Sequence, residues 1–311
     1  MPHNSEIPLQ MVILSGKGGT GKTSLGAAFA HLSSRQNKIG SAVFVDADVD
    51  AANLSLVLHP EQLEEFEFWG GSLAEITASS CTGCKACIEV CRYDALFLDP
   101  HNPPALWVDP IACDGCAACV YACPEDAVRM VAQQDGYWFH SSTPYGDLFH
   151  AELFAGKDNS GKLVTRIKQQ ARLWAQDTEC PLVIIDGPPG IGCPVISASA
   201  GADFGLIVAE PGMAGIHDME RILDTLQHFK VPAAICINKA DLYAQGSSQI
   251  RTFADARGID VIGEIPFDDH VPKAMLLGAP VTEIFPASPS ALSIGEIWEE
   301  SLEKLLARKE R

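Results

Sequence analysis

Eight of the chain's eleven cysteines fall between positions 81 and 123, in two runs of identical spacing. Cys81, Cys84, Cys87 and Cys91 form the first, and Cys113, Cys116, Cys119 and Cys123 the second. Each reads C-x2-C-x2-C-x3-C, and the second repeats the first at an offset of 32 residues. The repeat extends past the thiols, because Ala95 and Leu96 match Ala127 and Val128. A duplicated segment this short has too few apolar side chains for a core of its own, so whatever the thiols bind must supply stability. An odd total of eleven fits a disulfide framework poorly, and the opening MPHNSEIPLQ has no basic stretch followed by a long apolar one. The expectation is a cytoplasmic protein whose thiols stay reduced and free to take metal.

The second run closes with Cys123-Pro124 and is similar to the bacterial two-cluster ferredoxins, whereas the first departs by carrying Arg92 after Cys91. Three closely spaced thiolates on a tight loop can hold three corners of a cubane, and in that family the fourth cysteine of each run ligates the other cluster. The resemblance therefore implies one 4Fe-4S cluster on Cys81, Cys84, Cys87 and Cys123, and a second on Cys91, Cys113, Cys116 and Cys119. Zinc, which prefers two spaced pairs per tetrahedral site, and unligated core thiols are the alternatives that the doubled spacing argues against. Between the runs, residues 95–98 and 106–108 flank the turn-rich stretch 99–104, which suits a short hairpin.

Outside this segment the pattern is strand, glycine loop, helix. Apolar Met11 to Leu14 precede GKGGTGKT at 16–23, and an Ala-rich helical stretch follows. Gly16-x4-Gly21-Lys22-Thr23 is a P-loop, whose backbone N–H groups and helix N-terminus cradle phosphates. Gly16, Gly18, Gly19, Thr20 and Gly21 line that cradle, Lys22 reaches the β- and γ-phosphates, and the Thr23 hydroxyl holds Mg2+. Leu182 to Ile185 is an apolar strand ending in Asp186, followed by Gly187-Pro188-Pro189-Gly190. This fits a Walker B aspartate on Mg2+ and a loop whose Gly190 N–H senses the γ-phosphate.

The extra lysine, Lys17, makes GKGGTGKT similar to the deviant Walker A motif of the MinD/ParA/Mrp and nitrogenase iron protein class. The resemblance implies that Lys17 reaches across a dimer to the partner's nucleotide, and that ATP closes the dimer. It makes Asp46 to Leu54 the first switch, with Asp48 orienting the attacking water and Asp46 and Asp50 on the metal side. The run DGPPG resembles the Mrp-type second switch. Asn238-Lys239-Ala240-Asp241 matches the base-recognition run of guanine nucleotide proteins, in which the Asp accepts from the guanine edge. In the MinD-like class the Asn contacts adenine, so the resemblance favours ATP while Asp241 keeps GTP open. Pro266-Phe267-Asp268 resembles the family's base-stacking loop.

Alternating strands and helices predict an α/β fold, a mostly parallel sheet with helices on both faces. Some 135 residues separate Asp46 from Leu182, far more than the dozen or so a parallel crossover needs. An insertion follows: 1–60 and 136–311 for the ATPase, 76–133 for a small α+β dicluster ferredoxin. Its edges are expected near Glu61 to Trp69 and Gln133 to Tyr145, with Leu148 to Phe154 rejoining the sheet and Lys162 to Ala175 as crossover helix. Because it leaves directly after the first switch, nucleotide state should move the clusters.

Cys180 and Cys236 read as core thiols. Cys193 lies seven residues after Asp186, where the nitrogenase iron protein places a ligand of its bridging cluster, but no second such cysteine follows. The paired C-terminal cysteines of Mrp-type carriers are also missing. Ile294, Ile297, Trp298, Leu302, Leu305 and Leu306 form a stripe at helical spacing. With a Glu-rich opposite face it reads as docked in the core rather than on lipid. Forty acidic against 22 basic residues, a net charge of −18, argue against nucleic acid and membrane as partners. The implied partners are a second copy, or a similar ATPase, in a nucleotide-dependent dimer, and a redox or metal-cofactor-assembly protein. The alternative is a nucleotide-gated scaffold or positioning protein with structural clusters.

Overall fold

A computed structural model of the chain describes residues 7–35, 41–99, 101, 103, 105–157 and 160–307. Pro100, Asn102 and Pro104 of the expected hairpin turn lie outside the described residues. Two compact units emerge: Met1–Phe66, Tyr137–Glu152 and Ser160–Arg311 form one, and Glu67–Gly136 with Leu153–Asn159 the other.

In chain order the elements are β1 (Leu9–Ser15), α1 (Lys22–Arg35), β2 (Ala42–Asp46), α2 (Ser55–Leu58) and β3 (Glu61–Phe68). Within the second unit come β4 (Gly71–Ile76), α3 (Ala86–Val90), β5 (Leu96–Leu98), β6 (Leu106–Val108), α4 (Ala118–Ala122) and β7 (Val128–Gln133). The chain returns through β8 (Gly136–Thr143), β9 (Gly146–Leu153), α5 (Ser160–Asp177), β10 (Leu182–Pro189), α6 (Cys193–Ser199) and β11 (Phe204–Ala209). It finishes with α7 (Met213–His228), β12 (Ala233–Asn238), α8 (Ala244–Arg257), β13 (Asp260–Ile265), α9 (His270–Leu276), α10 (Val281–Ile284) and α11 (Pro289–Leu306).

Nine strands make one sheet in the order β13-β12-β11-β1-β10-β2-β9-β8-β3. From β13 to β9 each neighbouring pair is parallel. Met11 to Leu14 are fully buried, as expected of a strand covered on both faces. The far edge holds strands that the sequence reading lacked. The second unit begins at Glu67 and its first segment ends at Gly136, inside the stretches Glu61 to Trp69 and Gln133 to Tyr145 expected to bound an insertion, and β3 and β8 in those stretches are also strands of this sheet. The reason is physical: β3 (EQLEEFEF) leaves seven of its eight residues exposed, so no apolar alternation marks it. Its glutamates are what keeps an edge strand from pairing with other chains.

The C-terminal stripe docks as expected except for Leu306, which is exposed at the end of α11. Ser288 caps α11 by accepting from the Ala291 N–H at 3.3 Å. Ile294, Ile297, Trp298, Leu302 and Leu305 are buried in the main core, and the Trp298 ring lies 4.9 Å from that of Phe29. No helix among the described residues is long and apolar enough to cross a membrane.

The second unit carries the duplication into its backbone. Left-handed residues recur at the offset of the repeat: Gly83 and Gly115, Lys85 and Ala117, Asp94 and Asp126. The halves also exchange partners. The Thr77 N–H donates to the Ala127 carbonyl and the Asp109 N–H to the Ala95 carbonyl, both at 2.8 Å. Likewise β4 pairs antiparallel with β7, and β6 with β5. Equivalent groups answer one another across a local two-fold.

Candidate functional site

The phosphate loop is built by close approach. A Cβ on Gly16 would lie 2.1 Å from Asp218 Cβ, and one on Gly21, at φ +95°, would lie 2.4 Å from Asn238 Nδ2. Only glycine fits at either position. Asn238 Nδ2 donates to the Thr20 carbonyl at 2.7 Å and Lys239 Nζ to the Gly19 carbonyl at 3.3 Å. The NKAD run thus braces the loop that leads into α1. Lys22 Nζ donates to Ser15 Oγ at 2.8 Å, and Ser15 Oγ to the Lys17 carbonyl at 2.7 Å. Burial lowers the Lys22 pKa, opposed by Asp186, Asp48 and Asp46. The Thr20 hydroxyl is buried without a partner, beside a helix start that favours anions.

Pairing of β2 with β10 sets Asp46 opposite Asp186. Both are buried, and burial raises the Asp186 carboxyl to about 6, while burial and the neighbouring Asp186 push Asp46 well above the carboxylate range. Asp186 Oδ1 has no hydrogen-bond partner, and the Thr23 hydroxyl donates to the same carboxylate. An unpartnered buried carboxylate oxygen beside a hydroxyl fits a hard divalent cation such as Mg2+. Of the two carboxylates expected on the metal side, Asp46 lies beside Asp186 and Asp50 is exposed. Asp46 accepts from the N–H groups of Asp48 at 3.2 Å and Leu54 at 2.9 Å, which ties down the loop after β2. Asp50 is exposed and acts through its charge on Asp48. Asp48 is half-buried, and burial raises its pKa against the pull of Lys22.

Around this centre several groups are already engaged. The Gly190 N–H donates to the Ser15 carbonyl at 3.1 Å, so it reaches a phosphate only if its loop shifts. Asp241 Oδ1 accepts from the Phe267 N–H at 2.6 Å, fixing the Pro266-Phe267 loop, with the Phe267 ring exposed. Lys17 pairs with Glu210 at 2.6 Å. Ser15 and Glu210 were given no role by the sequence; their only signal is their position at the carboxyl ends of β1 and β11, where α/β sheets bind ligands.

In the second unit, no three His, Cys, Asp or Glu among the described residues gather closely enough for a single metal ion. The eight cysteines instead wall two cavities. One is lined by Cys81, Cys84, Cys87 and Cys123 with Ile76, Leu106 and Val128. The other is lined by Cys91, Cys113, Cys116 and Cys119 with Ala74, Leu96 and Met130. Each takes three thiols from one run and the fourth from the other. The four-thiol donor sets fit a polynuclear iron-sulfur group, and burial pushes the Cys87 and Cys119 thiols up, a cost that bound iron would offset. Cys180 and Cys236 are buried, and Cys193 is exposed at the start of α6.

A family model described as the CobQ/CobB/MinD/ParA nucleotide binding domain matches residues 11–281. An uncharacterized protein of Methanocaldococcus jannaschii is 33% identical over 94% of this chain and 96% of its own length. The iron-sulfur cluster carrier protein of Pyrococcus furiosus is 28% identical over 47% of this chain and 53% of that one, so the likeness spans about half of each. Among solved structures, the septum site-determining protein MinD of Pyrococcus horikoshii, complexed with Mg-ADP, superposes with a TM-score of 0.58 at 18% identity, covering 97% and 99% of the two chains. At that identity the likeness is one of fold. The match of the family model over most of the chain is decisive: this protein belongs to the CobQ/CobB/MinD/ParA nucleotide-binding family.

Proposed function

We propose that this chain is an ATP-hydrolysing iron-sulfur protein. Its nucleotide site closes a dimer, and its inserted dicluster ferredoxin domain carries two 4Fe-4S clusters for electron transfer or metal-cofactor assembly on a partner. The observation that carries the reading is the sorting of eight cysteines into two cavities by the ligand sets of two-cluster ferredoxins. The partial relatives named as iron-sulfur cluster carriers support it. When bound, the clusters supply one-electron transfer, and Mg2+ neutralises phosphate charge.

The chain's own residues do the rest. Backbone N–H groups of the loop from Gly16 to Gly21 and Lys22 Nζ bind and orient the phosphates. Thr23 and Asp186 hold the cation. Asp48, at the mouth of the site, orients the attacking water and takes its proton. Asp241 has one oxygen committed to the Phe267 N–H, which favours adenine over guanine as the base. Coupling follows from topology: the chain leaves the first switch through α2 and β3 and returns through β8 and β9, and β9 pairs directly with β2.

A Lys22→Ala variant should lose ATP hydrolysis by about 100-fold or more and keep the brown cluster absorbance. Retained turnover would refute the catalytic assignment. EPR of anaerobically purified, reduced protein titrated with ATP, ADP and GTP counts the clusters and chooses the base. Signals unmoved by any nucleotide would refute the coupling.

A further inference from the structure

The Lys17 ammonium is held in an ion pair within its own chain. Its Nζ lies 2.6 Å from Glu210 Oε2, and Lys239 Nζ lies 2.9 Å from Glu210 Oε1, so one carboxylate serves two lysines at the lip of the phosphate loop. Glu210 follows directly on β11, a strand buried along its whole length, and its own side chain is only 19% exposed. The anchor is therefore rigid, whereas the Lys17 side chain is 45% exposed and free to swing. Lys239 also braces the Gly19 carbonyl.

We infer that Glu210 is a positioning residue that retains Lys17 within its own protomer, so that the lysine serves a second copy's nucleotide only after this ion pair opens. The inference rests on the proposed role of Lys17 across the dimer. The arrangement is suited to reversible release. When Lys17 departs, Glu210 keeps Lys239 and is not left as a half-buried unpaired charge, the costly outcome when an ion pair is broken. The departing ammonium enters water or meets a triphosphate, whose oxygens accept charge-assisted hydrogen bonds as strong as those it gave up. Burial tends to raise the Glu210 pKa, but the hydrogen bonds from Lys17 and Lys239 prevail and hold it low, so the pair stays ionised at neutral pH.

The test measures ATPase rate and sedimentation against protein concentration, with ATP and Mg2+, for wild type, Glu210→Gln, Glu210→Asp, Lys239→Met and Lys17→Ala. Glu210→Gln should lower the concentration for half-maximal dimer by about fivefold, two exposed ion pairs being spared per dimer. Added salt should narrow the gap by weakening the wild-type pair, and Glu210→Asp should restore part of the retention. Lys239→Met controls for the brace on the phosphate loop: it should weaken ATP binding without lowering the dimer midpoint. An unchanged or raised midpoint in Glu210→Gln, with Lys17→Ala still abolishing dimerisation, overturns the retention alone. Lys17→Ala dimerising like wild type overturns both the retention and the reading beneath it.

Discussion

The two units of this chain solve the problem of an interior in opposite ways. In the nucleotide unit, Met11, Ile13, Phe29, Phe44 and Trp298 join one continuous apolar core, and the alternate strand residues Val12 and Leu14 are fully buried as well. In the cysteine unit the core proper is six residues, two of them Cys87 and Cys119, with Cys81, Cys91, Cys113 and Cys123 packed around it. One interior is filled by side chains, and the other is arranged around two cavities. The first rests on hydrophobic burial; on the proposed reading, the second is completed by the clusters its cysteines would hold.

The largest effect that tests this contrast is Cys119→Ser. Losing one ligand should cost the second cavity its cluster and leave residues 67–136 open to limited proteolysis, while nucleotide affinity of the other unit stays within about twofold. Full protease resistance in that variant would mean that the cysteine unit has a self-sufficient core. Next in size, Trp298→Ala removes the largest fully buried side chain and should destabilise the nucleotide unit by about 3–5 kcal/mol. Denaturant melts should show the protein transition shift while the visible absorbance stays intact below it. A simultaneous loss of both would mean the units do not unfold separately.

The smallest effect concerns acid. His150, whose Nε2 lies 3.0 Å from Ser141 Oγ, is half-buried, and desolvation lowers its pKa to about 4 from 6.5. The unfolded chain therefore takes up this proton first. The stability from neutral His150 is whole above about 6.5 and is lost as pH falls toward 4. Urea unfolding of wild type and His150→Gln at pH 7 and 4.5 should differ in acid sensitivity by on the order of 2 kcal/mol. Equal slopes would remove His150 as a source of acid lability in the nucleotide unit.

Much of the site was legible because its chemistry demands fixed spacing: the P-loop, the strand before Asp186 and the two cysteine runs each tie residue type to position within a few residues. What escaped was long-range. Glu61 to Phe68 has no burial pattern to betray a strand, since an edge strand contacts little. The engagement of Asp46 with the Asp48 and Leu54 N–H groups depends on how a loop folds back. The pairing of Lys17 with Glu210 joins residues far apart in sequence and adjacent only because β11 lies beside β1.

The strand order has a consequence for how the protein is made. β1 and β2 are not neighbours; β10, residues 182–189, runs between them. A ribosome delivers the whole of 67–136 before it delivers that strand. The nascent cysteine unit thus emerges while the nucleotide site still lacks Asp186 and the centre of its sheet. Any group that the eight cysteines took up during synthesis would be bound before the carboxylate end of β10 exists.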